Sequence, residues 1–135
     1  MPSFLHIGGT IWAAPTSAVG LFLGACCRPW GARFTRHTGV IEIHGPGVSW
    51  MLEHCTLLEG GALAITFGEV VLARAAAAHD LTRSHERIHV RQCRRWGPFF
   101  IPAYLAASGI ALLRGRNAYR GNAFEVEAYA QENAG

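Results

Sequence analysis

The chain has 135 residues, enough for one domain that buries a core without disulfide staples. Half of the residues are hydrophobic and only 16% are charged, which points to an unusually apolar core, a partner or a membrane surface. The net charge of +3, carried entirely by Arg on the basic side, is too small for a nucleic-acid partner. No alternation of aromatic and basic residues of the single-strand-binding kind occurs.

Residues 7–27 carry no charge over about the length that a membrane span needs, although Gly8, Gly9, Pro15 and Gly20 interrupt them. This part of an apolar N-terminal segment, 1–37, reads as a membrane anchor or a core helix, and the sequence leaves both open. Arg28, Arg33 and Arg36 follow it, which would keep the remainder on the cytoplasmic side. Leu23-Gly24-Ala25-Cys26 loosely resembles a lipoprotein cleavage box, but a positive region before the apolar run is missing. Cys26, Cys27, Cys55 and Cys93 show neither a disulfide framework nor a C-x-x-C pair, so reduced, buried thiols are expected.

The middle third reads as β. Val40-Ile41-Glu42-Ile43-His44 alternates, Gly45-Pro46-Gly47 is a turn signal, and 48–53 is expected to return as the second strand of a hairpin. Two further short strands are expected at 62–67 and 69–72, split at Gly68. Residues 75–79 form a connector or the lead-in to a helix. From Asp80, a plausible N-cap, to Arg95 the pattern turns helical, and Gly97-Pro98 stops it. Arg83, Arg87, Arg91 and Arg94, three or four apart, with Arg95 beside them, read as a solvated face of that helix, with contact to anionic lipid headgroups as the alternative. Residues 99–113 predict an apolar helix with Pro102 in its first turn and Gly115 beyond its end. Asn122 then caps a final helix to about Asn133. His37, His44 and His54 are expected to be ordinary surface or core histidines, and Trp12, Trp30, Trp50 and Trp96 to be packed in the core, with an interfacial belt as the alternative.

The chemistry lies in His85-Glu86-Arg87-Ile88-His89. Residues i and i+4 share a helix face, so His85 and His89 can offer two imidazole nitrogens to one tetrahedral zinc ion. Glu86 sits about 100° around the helix, beside the metal without ligating it, where a general base acting on water belongs. A helix whose two histidines are merely solvated or hydrogen-bonded would carry the same five letters. No further histidine follows at the right spacing, so a third ligand must come from farther along. Glu125 and Glu127 on the last helix are the candidates, and Glu125 is taken as the ligand. Asn122 with Glu125 three residues on is also a capping box, in which that glutamate would only serve its own helix.

Thr66-Phe67-Gly68, then His85-Glu86-x-x-His89-x-x-Gln92, then Glu125-x-Glu127-Ala128 resembles a family of uncharacterised bacterial predicted zinc metallopeptidases. More widely, the pattern is similar to the gluzincin clan, in which a glutamate on a following helix is the third ligand. The likeness covers roughly residues 62–132. It implies that His85, His89 and Glu125 bind Zn²⁺ and that Glu86 deprotonates the water that attacks a peptide carbonyl. In membrane-embedded members of the clan an Ala-Asp pair follows the glutamate at this spacing. Tyr129 stands in place of that Asp, so the carboxylate that would orient a ligating histidine is expected to be missing.

The expectation is therefore a single α+β domain over 1–135. In its core, 38–135, a small antiparallel β region precedes the H-E-x-x-H helix, an apolar helix and a C-terminal helix carrying the glutamate ligand. Its expected role is zinc-dependent hydrolysis of a peptide or protein substrate, in the bacterial cytoplasm or on the cytoplasmic face of the inner membrane. Membrane contact is expected through 7–27 and 96–113, and oligomeric state is left open. The alternative is a non-catalytic metal-binding or membrane-associated module with a vestigial motif. If 96–113 crossed a bilayer once, His89 and Glu125 would lie on opposite sides, so this segment is expected to pack on the protein or lie in the interface.

Overall fold

A computed structural model describes residues 4–55 and 62–134. Helix α1 spans Phe4–Cys26 and runs through Pro15, and a tight turn at Arg28–Trp30 leads from it into strand β1, Arg33–His37. Thr38 and Gly39, both at positive φ, make the two-residue turn into β2, Val40–His44. Helix α2, Pro46–His54, follows. Strands β3, Ala64–Phe67, and β4, Val70–Ala73, are joined at Gly68. Helix α3 spans Ala76–Trp96, and a turn at Gly97–Phe99 leads into α4, Phe100–Leu113. Helix α5, Ala123–Ala134, ends the described chain.

The fold is α+β, and the strand order is β1-β2-β4-β3. The expected hairpin partner of Val40–His44 is not 48–53 but β1. Residues 48–53 are helical. Val48 and Leu52, four apart, are both fully buried, whereas Trp50 between them is exposed and stacks on His54. A short apolar run fits period 2 and period 3.6 alike, and Pro46 in the first turn favours the helix. The consequence is topological. With a helical crossover between them, β2 and β4 pair in parallel, so the sheet is mixed and not antiparallel throughout.

Helix α3 starts at Ala76, four residues before the expected cap. Three alanines ahead of His79 favour helix strongly enough to extend it backwards, and Asp80 instead pairs with Arg83 at 3.0 Å. The stop at Gly97, the apolar α4 and the cap of α5 lie where expected. The Asn122 side-chain oxygen accepts the Phe124 N–H at 2.8 Å. Cys27 and Cys93 are buried thiols, but Cys26 and Cys55 are exposed. All four tryptophans are at least two-fifths exposed, contrary to the core role expected of them.

The sheet has a core on each face. Ile43, Val70 and Leu72 pack with Val48 and Leu52 of α2 and with Cys27 beyond the end of α1. On the other face, Val40, Ala64, Val71 and Ala73 pack with Ala78 and Val90 of α3. Glu42, also on that face, accepts from Arg83 Nε–H at 3.0 Å and Nη2–H at 2.9 Å. Arg83 thus faces the sheet and not only solvent, as Arg87 does through the carbonyls of His37 and Thr38. Helix α1 crosses the β3–β4 turn closely: Ser17 accepts the Glu69 N–H at 2.8 Å, and Gly68 has φ +65°.

A methyl group on Gly68 would lie 2.6 Å from the Ser17 backbone nitrogen, in a backbone conformation that alanine resists. Gly68→Ala should therefore cost about 2–4 kcal/mol in denaturant unfolding. In contrast, Gly109→Ala in α4, where a methyl group meets nothing within 4 Å, should be neutral or gain up to about 1 kcal/mol.

Candidate metal centre and cleft

Helix α3 is anchored by its contacts with β3, β4 and α5, and its buried face includes His85, Glu86, His89 and Gln92. The i, i+4 spacing stacks the two imidazoles, with ring centres 4.9 Å apart. Glu125 arrives from the first turn of α5. Its Oε1 lies 2.9 Å from His85 Nε2 and 3.0 Å from His89 Nε2, and the two Nε2 atoms are 3.2 Å apart. All three residues are buried, and together they form a group that could hold a metal ion. Asn122 does cap α5, but Glu125 does not close a capping box; its carboxylate is spent on the histidines.

The other ring nitrogens decide which atoms face the centre. Gln92 gives its amide N–H groups to the Phe124 carbonyl at 3.0 Å and to Glu127 at 3.1 Å, so its oxygen is left to accept from His89 Nδ1–H at 2.8 Å. His85 Nδ1–H donates to Glu132 at 3.0 Å. Both Nε2 atoms are thereby left as lone-pair donors aimed at the same place as the Glu125 oxygen. Three acceptors this close repel unless a proton or a metal ion sits among them. The sides of this triangle, 2.9, 3.0 and 3.2 Å, are a little shorter than the roughly 3.3 Å between ligand atoms of a tetrahedral ion of zinc's size.

The carboxylate expected to be missing is thus present. Tyr129 occupies the position of the absent Asp and packs on the His85 ring, with centres 4.4 Å apart. Glu132, seven residues after Glu125 and so two helical turns along the same face, supplies the charge to His85. That spacing was a signal available in the sequence. Glu127 does not join the three converging atoms; it holds Gln92.

The electrostatics follow from this crowding. Burial resists charge on His85 and His89, yet the Glu125 hydrogen bonds, with the nearby Glu86 charge, outweigh it and raise both imidazoles. Burial likewise opposes ionisation of Glu125, but the two histidines and the Tyr104 hydroxyl, 2.5 Å from Oε2, pull its carboxyl well below the usual range. Glu86 behaves oppositely. Its burial dominates over the attraction of the histidines and raises its carboxyl. The Thr66 hydroxyl donates to Glu86 Oε2 at 2.6 Å and fixes the side chain.

Comparison with protein families, curated proteins and solved structures finds no match for this chain.

Glu86, His89 and Glu125 open onto a cleft of about 230 Å³ between β3 and α4. Ala64, Ile65 and Phe67 line it on one side, Phe100, Ile101, Tyr104 and Leu105 on the other, with Tyr119 at its border. Tyr104 is a site residue that the sequence did not single out, since nothing in its spacing relates it to the motif. Tyr119 lines the cleft, and its hydroxyl lies 3.1 Å from that of Tyr129. Strand β3 is an edge strand. The bond from Arg74 N–H to the Leu63 carbonyl sets the alternation along the β3–β4 pair, so the backbone groups of Ala64 and Thr66 point away from β4.

Proposed function

We propose that this chain is a zinc-dependent peptidase. The observation that carries the proposal is the convergence of two lone-pair imidazole nitrogens and one carboxylate oxygen, with a second buried carboxylate, Glu86, on the same cleft. Two histidines and a glutamate are the donor set of catalytic zinc sites that keep one position open. A bound zinc ion would acidify a water molecule and polarise a substrate carbonyl.

The protein groups do the rest. Glu86 takes the proton from the attacking water and passes it to the departing amine as the carbon–nitrogen bond breaks and the water oxygen joins the carbonyl carbon. Thr66 holds the Glu86 carboxylate in one position, so little is lost in orienting it. The free backbone groups of Ala64 and Thr66 suit an extended peptide added as a fifth strand, and the apolar cleft walls suit a large hydrophobic side chain. An edge strand beside the base and ligands favours a peptide over a compact substrate.

The test is metal analysis on chain purified without added metal, followed by cleavage of an unfolded protein such as reduced casein. One zinc per chain, absent from His85→Ala and His89→Ala, with hydrolysis lost to a chelator and restored by zinc, is the expected result. A chain that binds no more zinc than the two variants would overturn the proposal.

A further inference from the structure

Helices α1 and α4 have their polarity reversed relative to helices on a wet surface. In α1, Thr10 donates to Glu69, Thr16 to the Gly97 carbonyl, and Ser17 accepts from Glu69. In α4, Tyr104 donates to Glu125, and the Ser108 hydroxyl accepts from Asn122. The polar side chains thus turn inward. The outward faces carry Ile11, Val19, Leu21 and Phe22 on α1, and Leu105, Ile110, Leu112 and Leu113 on α4, with Leu113 89% exposed. A soluble helix puts its polar residues outside, and helix faces that expose large apolar side chains in this way mark an interaction site.

The charge pattern says what covers it. Residues 1–41 and 87–124, the segments that contain α1 and α4, hold no Asp or Glu, yet they carry ten of the twelve arginines. Arg28, Arg33 and Arg36 follow α1, and Arg114 and Arg116 follow α4. The exposed tryptophans Trp12, Trp30 and Trp96 lie in or beside these elements. Apolar faces, flanking arginines and exposed indoles are the composition of a surface that sinks into the acyl boundary beneath anionic headgroups.

We infer that the outward faces of α1 and α4 seat this protein on an anionic lipid bilayer. It lies on the membrane and does not cross it. Helix α1 is tied along its length to the turn at Gly97 and to the sheet, where Gly20 and Gly24 admit Phe67, Val70 and Ile43. Helix α4, at 14 residues, spans only about 21 Å. Trp12 and Phe99, with ring centres 6.0 Å apart, join the two helices at the start of α4. Leu105 belongs both to the cleft and to the exposed face, so the cleft opens toward the lipid. On the peptidase reading its substrate is then an apolar segment at the membrane surface; the lipid seat itself stands without that reading.

Flotation of the full chain with vesicles tests the inference. The chain should float with vesicles of phosphatidylcholine mixed with phosphatidylglycerol, more weakly with phosphatidylcholine alone, and less in high salt. Leu112→Glu with Leu113→Glu should abolish flotation. Arg114→Gln with Arg116→Gln should weaken binding to the anionic vesicles roughly 20–30-fold. These arginines are exposed, so that variant remains informative if the leucine pair impairs folding. A monodisperse chain that floats with neither vesicle overturns the inference. So does a dimer in solution that Leu112→Glu with Leu113→Glu dissociates while wild type fails to float, because a second copy then covers this face.

Discussion

Replacing Glu86 by Gln is expected to lower peptide hydrolysis about a thousandfold while zinc binding stays within a few-fold of wild type. Gln keeps the size of the side chain, and its oxygen can still accept the Thr66 hydroxyl, so the packing around it need not change. What disappears is the ability to take a proton. A positioned general base is typically worth about 10²–10⁴ in rate, and the midpoint of that range is about 4 kcal/mol of barrier. Burial raises the Glu86 carboxyl, which makes its carboxylate a stronger proton acceptor. Hydrolysis should be read as initial rate at matched zinc occupancy. A Glu86→Gln variant with undiminished kcat removes Glu86 as the base, and a variant that loses zinc makes it a ligand instead.

Replacing Glu125 by Ala should loosen zinc by more than about 100-fold, and replacing Glu127 by Ala by no more than about tenfold. Only Glu125 presents an oxygen to both Nε2 atoms, whereas Glu127 reaches the centre through Gln92 and His89 in turn. Outer partners of metal ligands typically contribute about 10–100-fold to affinity, and a direct ligand contributes more. Glu132→Ala should fall between the two, because its carboxylate fixes the tautomer and the angle of His85. Competition with a chromophoric chelator gives all three constants. If Glu127→Ala is the more damaging, the two glutamates exchange roles.

The part of the site that spacing alone made legible is the part built on one helix, and Glu125 joined it as the candidate third ligand from the last helix. Helical periodicity alone puts His85 and His89 on one face and Glu86 beside them, and it links Gln92 to His89 three residues on. Within α5 the same rule joins Glu125 to Glu132, a relation visible in the letters although its purpose was not. The stop at Gly97, the start of α4 around Pro102 and the cap at Asn122 are local too, fixed by the chemistry of single residues. These features depend on neighbours within a turn or two, and spacing in the chain is then spacing in the molecule.

Apart from the pairing of Glu125 with the two histidines, what joins distant segments had to come from the fold. Thr66 meets Glu86 across 20 residues, Tyr104 meets Glu125 across 21, and Glu132 meets His85 across 47. The sheet order was hidden for the same reason: Val48 to Glu53 suits strand or helix by its own letters, Pro46 only tilts it toward helix, and burial of Val48 and Leu52 against the β2–β4 face completes the choice. The apolar stretches show the division most sharply. Their composition was plain in the sequence, but an apolar helix can be a core, a span or a surface. Which of these α1 and α4 are depends on where their few hydroxyls point, and that direction is set by the partners the tertiary structure brings to them.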